Sequence, residues 1–433
     1  MRLLSRKTLF HKVFSKAFPV VSALALLAAS AACGTGEAAG RVELSISTFT
    51  EFGYEDLLAE YESTHPGVRV RHERTGQGGP YHQRLFTRLG AGSGAADVVA
   101  VEEGYLADAL ARSDLFQDLA EIGPPDVRPD RWLDWKYAAG RDKAGRVVGY
   151  GTDVGPLAMC YRRDLFEAAG LPGDPERVAP LFATWESYFA TGDAFVARAG
   201  RAWFDSDSQI FNAMHNQLPS GYLTTGDALA IESDPAIRRN WDLVTAAGGR
   251  GQSARLTAFS ADWNAGFAAG AFATKTCPSW MLGVIKAQAG PANAGRWAVA
   301  DAFPGGGGNW GGSYLAVPKQ SAHPREAAAL AAWLTAPEQQ IRAFAKTGNF
   351  PSQRAALTAP ELLGTTDPYF GGAHTGALFA GRAQKVGEPQ YKGPGDGRIQ
   401  ENVIAPALRA VEEGASPDEG WRQAVEGAKK ITR

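Results

Sequence analysis

The sequence lacks the usual signatures of metal and cofactor chemistry. Only three of its 433 residues are cysteine, no two of them at metal-ligand spacing, and its seven histidines show no H-E-x-x-H pattern. The P-loop and G-x-S-x-G patterns are also missing from the sequence. We therefore expect no metal, no cofactor and no catalytic residues.

The sequence also has little net charge. Its 44 basic and 46 acidic residues leave a net charge of −2, so no basic field favours nucleic acid as a partner. The chain is 45% apolar and 21% charged, which is typical of a globular protein, and its length allows two or three domains. Glycine, proline and tryptophan are abundant, with 51, 25 and 11 residues. A loop-rich chain with many indole rings suits flat, amphipathic ligands.

The N-terminus predicts an export signal. A positively charged start precedes an apolar stretch that is too short to span a bilayer comfortably. Small residues then lead to Cys33, and this ending resembles a bacterial lipobox, except that Ser30 replaces the usual leucine. The resemblance implies a signal peptide over 1–32, a lipid on Cys33 and a tether over 33–40, which would anchor the protein at the extracellular face of the cell membrane. Cleavage near Ala32 without lipidation is the alternative.

The part after the signal begins with alternating strands and helices. Residues 42–48 and 68–74 alternate apolar and polar side chains, as half-buried strands do, and 96–101 is an apolar run typical of a buried strand. Between them, 54–61 carries apolar residues at helical spacing, and 81–94 has a helical pattern that ends at its glycines. This order predicts an α/β fold with a parallel or mixed sheet and helices on its faces.

The loops after these strands are the first candidates for a binding site. In sheets of this kind, ligands bind beyond the carboxyl ends of the strands. The loops at those ends contain Thr50, Glu51, Phe52, Gly76, Gln77, Glu102 and Glu103. Further along, the chain changes direction near 153–156, and 276–285 predicts an apolar strand with a proline inside. The last hundred residues are mainly helical in pattern.

The stretch 303–318, FPGGGGNWGGSYLAVP, is unusually dense in glycine. Gly306, Gly308 and Gly311 satisfy G-x-G-x-x-G, but a dinucleotide site needs a helix after the motif, and SYLAVP predicts a strand. We therefore reject a cofactor role for the motif. Trp310 lies in this stretch without bulky neighbours, so a core position is hard to explain and a ligand-facing position is favoured.

The acidic residues leave more than one function open. The candidates Glu102, Glu103, Asp153, Asp205 and Asp207 could supply the acid and the nucleophile of a secreted glycoside hydrolase. They could instead accept hydrogen bonds from sugar hydroxyls while tryptophans stack on the sugar rings. A structural or adhesive lipoprotein is a third class.

The order of motifs resembles the family 1 extracellular solute-binding proteins, which are maltose-binding-protein-like and deliver sugars to ATP-binding-cassette importers. The resemblance rests on TEFGYEDLLAEYE, ADVVAV, DVGPLAMCYRRDLF, CPSWML and NWGGSYLAVPKQSAHPREAAALAAWLTAPEQQ. More narrowly, TCPSWML, NWGGSYLAVP and GNFPSQ are similar to the actinobacterial cellobiose and cello-oligosaccharide binders. The resemblance implies a monomeric, non-enzymatic protein of a Gram-positive cell. It would pass a cello-oligosaccharide, or another short oligosaccharide, to an ABC permease.

The resemblance also implies a two-lobed fold, each lobe a mixed sheet flanked by helices, with hinge segments that cross between the lobes. It places 41–155 and 282–318 in the N-terminal lobe, and 158–280 and 319–433 in the C-terminal lobe. The crossings are expected at 153–157, 278–282 and 314–318.

Carried over residue by residue, the resemblance implies a ligand set and a disulfide. The ligand-binding residues would be Thr50, Glu51, Phe52, Gln77, Glu102, Glu103, Asp153, Asp205, Asp207, Trp263, Trp280, Trp310, Gly311, Gly312 and Phe350. Cys160 and Cys277 would lie on neighbouring strands near the hinge, close enough to bridge; two separate buried thiols are the alternative.

Overall fold

Strands and helices alternate through the first described part of the chain, as the sequence predicts. The computed structural model describes residues 41–387 and 389–432, so the predicted signal peptide, Cys33 and tether lie outside the described residues. The strands are β1 Val42–Phe49, β2 Val68–Thr75, β3 Val98–Glu102, β4 Gly149–Gly151, β5 Asp153–Val154, β6 Leu157–Arg162, β7 Thr274–Pro278, β8 Trp297–Ala300, β9 Ser313–Ala316 and β10 Phe350–Pro351.

Helices surround these strands. The helices of the first half are α1 Glu55–Thr64, α2 Gly78–Gly90, α3 Glu103–Leu110, α4 Leu119–Ile122, α5 Asp134–Ala139, α6 Arg163–Ala168, α7 Pro175–Val178, α8 Trp185–Ala199 and α9 Asp207–His215. Those of the second half are α10 Pro235–Gly249, α11 Ala261–Ala269, α12 Met281–Ala289, α13 Pro324–Leu334, α14 Pro337–Thr347, α15 Arg354–Leu357, α16 Pro360–Leu363, α17 Thr375–Gln384, α18 Asp396–Ile399, α19 Ala405–Glu412 and α20 Pro417–Ile431. Among the described residues, no helix is both long and apolar enough to cross a membrane.

The first sheet is mixed. Its strand order is β2-β1-β3-β9-β4. The local β-α-β units make β1 parallel to both β2 and β3, whereas β9 runs antiparallel to β3 and to β4. We call the apolar cluster of this sheet the first core; it contains Ile46, Val98 and Leu315 and the buried side of α13.

The second sheet is antiparallel throughout, with strand order β7-β6-β8. Its central strand, β6, is buried along its whole length because both faces of the sheet are covered. Alternate side chains enter two further apolar clusters. Met159 and Tyr161 enter one, which we call the second core, and Ala158 and Cys160 enter the other, which we call the third core. A short antiparallel pair joins β5, which directly precedes β6 in sequence, to β10.

A disulfide joins Cys160 on β6 to Cys277 on β7. The strand register pairs Ala158 with Cys277, so the two cysteines are diagonal neighbours on one face of the sheet, with 5.5 Å between their Cα atoms. Both cysteines are fully buried in the third core. The bridge therefore ties β6, which the chain enters directly from the first sheet, to its neighbour β7.

The structure differs from the sequence prediction for 276–285. The strand β7 ends at Pro278, and helix α12 begins at Met281. Met281, Leu282 and Ile285 are buried on one side of this helix, a spacing that also fits a short apolar strand. The prediction of a continuous strand was wrong because proline ends the ladder and a buried helix follows.

The chain passes between the two sheets at more than one place. Segment 153–157 does lead from β4 in the first sheet to β6 in the second. However, β8 pairs with β6, and α12 packs in the third core, so most of 282–303 lies with the second sheet. Conversely, α13 packs on the first core. Between β8 in the second sheet and β9 in the first, the chain therefore passes through 301–312.

Candidate functional site

The ends of β3 and β9 bring several predicted residues together. The backbone N–H of Glu103 donates to the carbonyl of Gly312 at 2.9 Å. The carboxylate of Asp153 accepts from the backbone N–H of Ser313 at 2.9 Å and from the Thr152 hydroxyl at 2.6 Å. The two segments that pass between the sheets, 153–157 and 301–312, are thus held together by hydrogen bonds beside the end of β3.

Asn309 connects this region and was not among the predicted residues. Its amide nitrogen donates to the Glu103 carboxylate at 2.8 Å and to the carbonyl of Gly311 at 3.0 Å, while its amide oxygen accepts from the backbone N–H of Gly155 at 2.8 Å. All three bonds are made by one side chain that is largely buried. Asn309 therefore fixes how the two passages and Glu103 lie relative to one another.

Trp280 and Trp310 form a perpendicular pair. Their ring centroids are 6.3 Å apart with an interplanar angle of 90°, and the indole N–H of Trp280 donates to the backbone carbonyl of Trp310 at 2.9 Å. Both side chains stay partly exposed, unlike Trp263, which is fully buried. The pair forms an aromatic corner with ring surface that the protein does not cover, as sugar-stacking indoles require.

The glycines here allow close approach between protein segments. A side chain at Gly155 would collide with the carbonyl of Trp310, and a Cβ at Gly312 would lie 2.5 Å from the carbonyl of Asp153. Gly311 and Gly312 also have φ of +86° and +104°, which other residues rarely adopt. Gly312 thus allows contact between the two passages, and Gly311 allows close approach to the Trp280 ring, while Gly307 lies against the backbone of Lys385. The prediction that Gly311 and Gly312 contact the ligand stays a prediction.

Lys136 is a buried cation that the sequence analysis missed. It is fully buried, its Nζ lies 3.9 Å from the centroid of the Tyr314 ring, and that nitrogen has no hydrogen-bond partner among the described residues. Burial lowers the pKa of Lys136 to about 8, and the nearby carboxylates of Asp153, Glu103 and Glu102 act in the opposite direction. An unpartnered buried ammonium is a group that an enclosed water or ligand oxygen would satisfy.

Asp205 and Trp263 are connected to Trp310 of the aromatic corner through Lys275. The Lys275 ammonium pairs with the Asp205 carboxylate at 2.9 Å, and the Trp263 indole N–H donates to the same oxygen at 2.7 Å. All three side chains are fully buried. The Lys275 nitrogen lies 5.7 Å from the Trp310 ring centroid and donates to Gln209 at 2.7 Å. Asp205 and Trp263 therefore act on Trp310 through Lys275 and present no free surface themselves.

Asp207 faces other helices. Its backbone N–H donates to Glu412 on α19 at 2.7 Å, and its carboxylate packs against Gly248 on α10. Burial raises the pKa of the Asp207 carboxyl, and the charge of Glu412 raises it further. Asp207 thus lies within the packing of the second half rather than beside the Trp280–Trp310 pair.

The remaining predicted residues occupy mixed environments. Thr50 adopts a positive φ of 47°, and Glu51 is exposed and paired with Arg74 at 2.5 Å. Phe52 is buried in an aromatic group, and Gln77 is exposed at the start of α2. Phe350 is fully buried, edge-on to Phe344 in the third core. Glu51, Phe52 and Phe350 thus have partners other than the aromatic corner.

Residues 392–401, which the sequence analysis did not select, also reach the site. Lys392 pairs with the Glu103 carboxylate at 3.5 Å, and the Tyr105 hydroxyl donates to Glu401 at 2.6 Å. Burial raises the pKa of Glu102 to about 7; the charges of Glu401 and Glu103 raise it and that of Lys392 lowers it. The sequence does carry one signal, because KGPGDGR is a second glycine-rich stretch, with charged residues among its glycines.

The chemistry of this site is that of binding. Exposed indole surface, a buried unpartnered ammonium and several carboxylates and amides lie together where the two sheets meet. The carboxylates of Glu103 and Asp153 are engaged by Asn309, Lys392 and backbone N–H groups, which orient them as hydrogen-bond acceptors. Such a surface suits a ligand with apolar faces and many hydroxyl groups.

Comparisons with known proteins identify the family. Residues 56–369 match the sequence profile of the bacterial extracellular solute-binding proteins. A solved structure described as an extracellular solute-binding protein family 1 member is 48% identical, with a TM-score of 0.80, and the alignment covers 90% of this chain and 100% of that one. No curated protein matched the chain in the sequence search.

Two further structures share the fold. The ABC-transporter-associated binding protein of B. animalis subsp. lactis, in complex with β-1,6-galactobiose, is 22% identical with a TM-score of 0.76, covering 90% of this chain and 98% of that one. The galacto-N-biose-/lacto-N-biose I-binding protein of Bifidobacterium longum, in complex with lacto-N-biose, is 19% identical with a TM-score of 0.72 and the same coverage. The chain belongs to the bacterial extracellular solute-binding proteins, whose members bind solutes rather than convert them.

Proposed function

We propose that this protein captures a short oligosaccharide between its two lobes and delivers it to the membrane-spanning subunits of an ABC importer. The observation that carries the proposal is the aromatic corner of Trp280 and Trp310, which is partly exposed where the two sheets meet. Sugar C–H groups bury against such ring faces, and the neighbouring acids and amides satisfy the hydroxyls. Proteins of the same fold hold β-1,6-galactobiose and lacto-N-biose, which supports a sugar ligand.

Within that class, a cello-oligosaccharide is our first candidate. It rests on the motifs TCPSWML, NWGGSYLAVP and GNFPSQ, which are similar to those of cello-oligosaccharide binders. Another short oligosaccharide with the same pyranose faces is the alternative. Glu102, Glu103, Asp153 and Lys136 are the groups that we expect to meet its hydroxyls, together with Lys392 from the last part of the chain.

We propose that one lobe comprises the first sheet with α13, and the other the second sheet with 282–300 and the helices after 354. The passages 153–157 and 301–312, together with the chain between α13 and α15, then act as the hinge. A ligand that contacts both lobes favours the closed state by its differential affinity for closed over open. We further propose that Cys33 carries the lipid that keeps the protein at the extracellular face of the membrane.

A thermal-shift screen tests the ligand class. Binding to the folded state raises the melting temperature by mass action, so the correct sugar stabilises the protein and the others do not. Cello-, xylo-, malto- and manno-oligosaccharides of two to five units, about the range for one cleft, form the panel. A shift with cello-oligosaccharides alone supports our candidate, a shift with another series replaces it, and no shift with any series contradicts a sugar ligand.

The rival function, a secreted glycoside hydrolase, predicts a different outcome. Two carboxyl groups about 5–10 Å apart with free access to the sugar are needed for hydrolysis. We expect the protein to return every oligosaccharide of the panel uncleaved after prolonged incubation, as judged by mass spectrometry. Shortened products that disappear in a Glu103→Gln variant would establish the hydrolase instead.

The lipid anchor has its own test. The full chain expressed in a bacterium that carries the lipidation pathway is expected in the membrane fraction, and Cys33→Ala is expected in the medium. Equal distribution of the two proteins would contradict the anchor, without bearing on sugar binding.

A further inference from the structure

Three amide side chains lie on one face of helix α9. Gln209, Asn212 and Asn216 follow one another at spacings of three and four residues, which places them on the same side of a helix with about 3.6 residues per turn. From Gln209 to Asn216 they extend about 10 Å along the helix axis. We call these three residues the amide face.

The other side of α9 is packed inside the protein. Ile210, Phe211 and Met214 belong to the second core, beside the second sheet. Gln209 and Asn212, by contrast, remain partly exposed. Helix α9 is thus anchored on one side, and it turns the amide face away from that core, which leaves the amides of Gln209 and Asn212 accessible.

The first end of the amide face lies near the aromatic corner. The Lys275 ammonium donates to the amide oxygen of Gln209 at 2.7 Å, and the same nitrogen lies 5.7 Å from the centroid of the Trp310 ring. Because lysine only donates hydrogen bonds, the oxygen of the Gln209 amide must be the atom that faces Lys275. The NH2 group of Gln209 is therefore left for another partner, close to Trp310.

The second amide of the face is oriented in the same way. The side-chain nitrogen of Asn216 donates to the backbone carbonyl of Asn212 at 2.9 Å and to the side-chain oxygen of Asn212 at 3.2 Å. A backbone carbonyl only accepts, so the nitrogen of Asn216 is fixed, and the oxygen of Asn212 must face it. The NH2 group of Asn212 is therefore also left for another partner, about one helical turn after that of Gln209.

The amide face also lies near Glu103, which follows β3 of the first sheet. At the end of α9, the Gln390 amide donates to the backbone carbonyl of His215 at 2.6 Å, and two residues later Lys392 pairs with Glu103 at 3.5 Å. Beside the aromatic corner, Asn309 donates to the same carboxylate at 2.8 Å. Connections from both ends of the face thus lead to Glu103, so the face borders the candidate site on the side of the second sheet.

We propose that the amide face is a wall of hydrogen-bond donors for the bound sugar, and that Gln209 and Asn212 are specificity-determining residues. This rests on the proposed function and adds the direction of the hydrogen bonds. Sugar hydroxyls accept from the two NH2 groups and donate their own protons to the carboxylate of Glu103. A neutral glycan with free hydroxyls meets both requirements, whereas an ionised acid group on a ligand has no proton to donate to Glu103.

Specificity follows from the loss of water at the amide face. When a sugar covers Gln209 and Asn212, their NH2 groups give up water, and each needs an acceptor on the sugar to replace it. An analogue without the matching hydroxyl leaves that donor unpaired. Sites that hydrogen-bond a ligand hydroxyl reject such analogues far more strongly than apolar pockets reject a missing methylene group.

Two isosteric variants test the donor wall. Gln209→Glu and Asn212→Asp replace each NH2 group by oxygen, while they keep the size of the side chain and the oxygen that faces Lys275 or Asn216. The probe is cellotriose, or the trisaccharide of another panel series if the thermal-shift screen selects that series. Isothermal titration is expected to show binding at least about tenfold weaker in each variant, because one donor is lost and an acceptor takes its place.

Two further variants separate the donor from the shape of the side chain. Gln423→Glu makes the same exchange on α20, where Gln423 is exposed and packs outside the candidate site, and it is expected to bind as the wild type does. Asn212→Ser changes the shape but keeps a hydroxyl donor, so we expect it to bind more tightly than Asn212→Asp. A purely structural role of Asn212 predicts the opposite order. Urea unfolding without sugar checks that each variant is folded.

The donor wall and the proposed function fail in different ways. If the wild type binds the trisaccharide and both Gln209→Glu and Asn212→Asp bind it equally well or more tightly, the donor wall is overturned and the proposed function stands. Binding by Asn212→Ser that is weaker than binding by Asn212→Asp also overturns the donor role of Asn212. If the wild type binds no sugar of the panel, the donor wall and the proposed function are overturned together.

Discussion

At the scale of single residues, the site depends on side chains whose partners lie far away in the sequence. Asn309 illustrates this, because its amide reaches both Glu103 and Gly155. Trp310 was predicted from its glycine surroundings, and the structure leaves it partly exposed. Lys136 and Lys392 could not have been predicted, since nothing in their local sequence distinguishes them from solvated lysines; only the fold buries the one and brings the other to Glu103.

The aromatic corner gives the first residue-scale prediction. Trp310→Ala and Trp280→Ala each remove ring surface that we assign to the sugar, so each is expected to weaken binding at least about tenfold, as loss of roughly 1.4 kcal/mol or more would do. Isothermal titration with the sugar found in the thermal-shift screen measures the effect. Trp421→Ala is the control, since Trp421 is partly exposed on α20 and packs against Trp241. Unchanged affinity in both site variants would reject the stacking role.

The buried ion pair of Asp205 and Lys275 gives the second prediction. Lys275→Met leaves the Asp205 carboxylate buried without its cation, so we expect a loss of about 3–5 kcal/mol in the free energy of unfolding. Adding Asp205→Asn removes the stranded charge and is expected to restore part of that stability. Urea unfolding of the three proteins measures both effects. A double variant as unstable as Lys275→Met would contradict this assignment of the cost.

At the scale of elements, local patterns predicted strands and helices correctly where the elements that pack together are also adjacent in sequence. The β1-α1-β2-α2-β3 run followed its periodicity, because each helix covers the sheet built from adjacent strands. The stretch after Pro278 was predicted wrongly, because a short apolar segment with Met281, Leu282 and Ile285 fits a buried strand as well as a buried helix. Only its packing against elements far away in the sequence, α14 among them, settles which it is.

The contact between α12 and α14 gives the third prediction. A side chain at Gly283 on α12 would collide with the carbonyl of Thr347 on α14, so Gly283→Ala is expected to cost about 1–3 kcal/mol by pushing the helices apart. The matched control is Gly381→Ala on α17, where a Cβ meets nothing within 4 Å. There we expect a gain of up to about 1 kcal/mol from helix propensity. Thermal or urea unfolding compares the two, and equal effects would contradict the close contact of α12 with α14.

The disulfide between β6 and β7 gives the fourth prediction. Cys160 and Cys277 are 117 residues apart in sequence, and a closed loop of that size restricts the unfolded chain by about 4–5 kcal/mol in the chain-entropy description. We expect Cys160→Ala/Cys277→Ala to unfold at lower urea concentration than the wild type, and reduction to move the wild type towards the variant. If reductant leaves the urea unfolding of the wild type unchanged, and if the variant is as stable as the wild type, the bridge does not form.

At the scale of the whole molecule, long-range pairing decides the architecture. Strand β9 joins β3 across more than two hundred residues, and β8 returns to β6 in the other sheet. The resemblance to family 1 solute-binding proteins supplied the two-lobed fold, which the comparisons confirm. The glycine-rich 301–312 connects β8 in the second sheet to β9 in the first, so it is one of the passages between the sheets. No local pattern distinguishes a passage from a loop when glycine is required for either.

Isothermal titration of the purified protein with the oligosaccharide panel tests the central claim most directly. The account predicts saturable binding of one sugar per protein molecule, with a dissociation constant of roughly micromolar order. It predicts that the same sugar binds at least about tenfold more weakly to Trp310→Ala, since the lost stacking is worth roughly 1.4 kcal/mol or more. Absence of heat with every sugar, or equal binding by wild type and variant, would contradict a carbohydrate held against the aromatic corner where the two sheets meet.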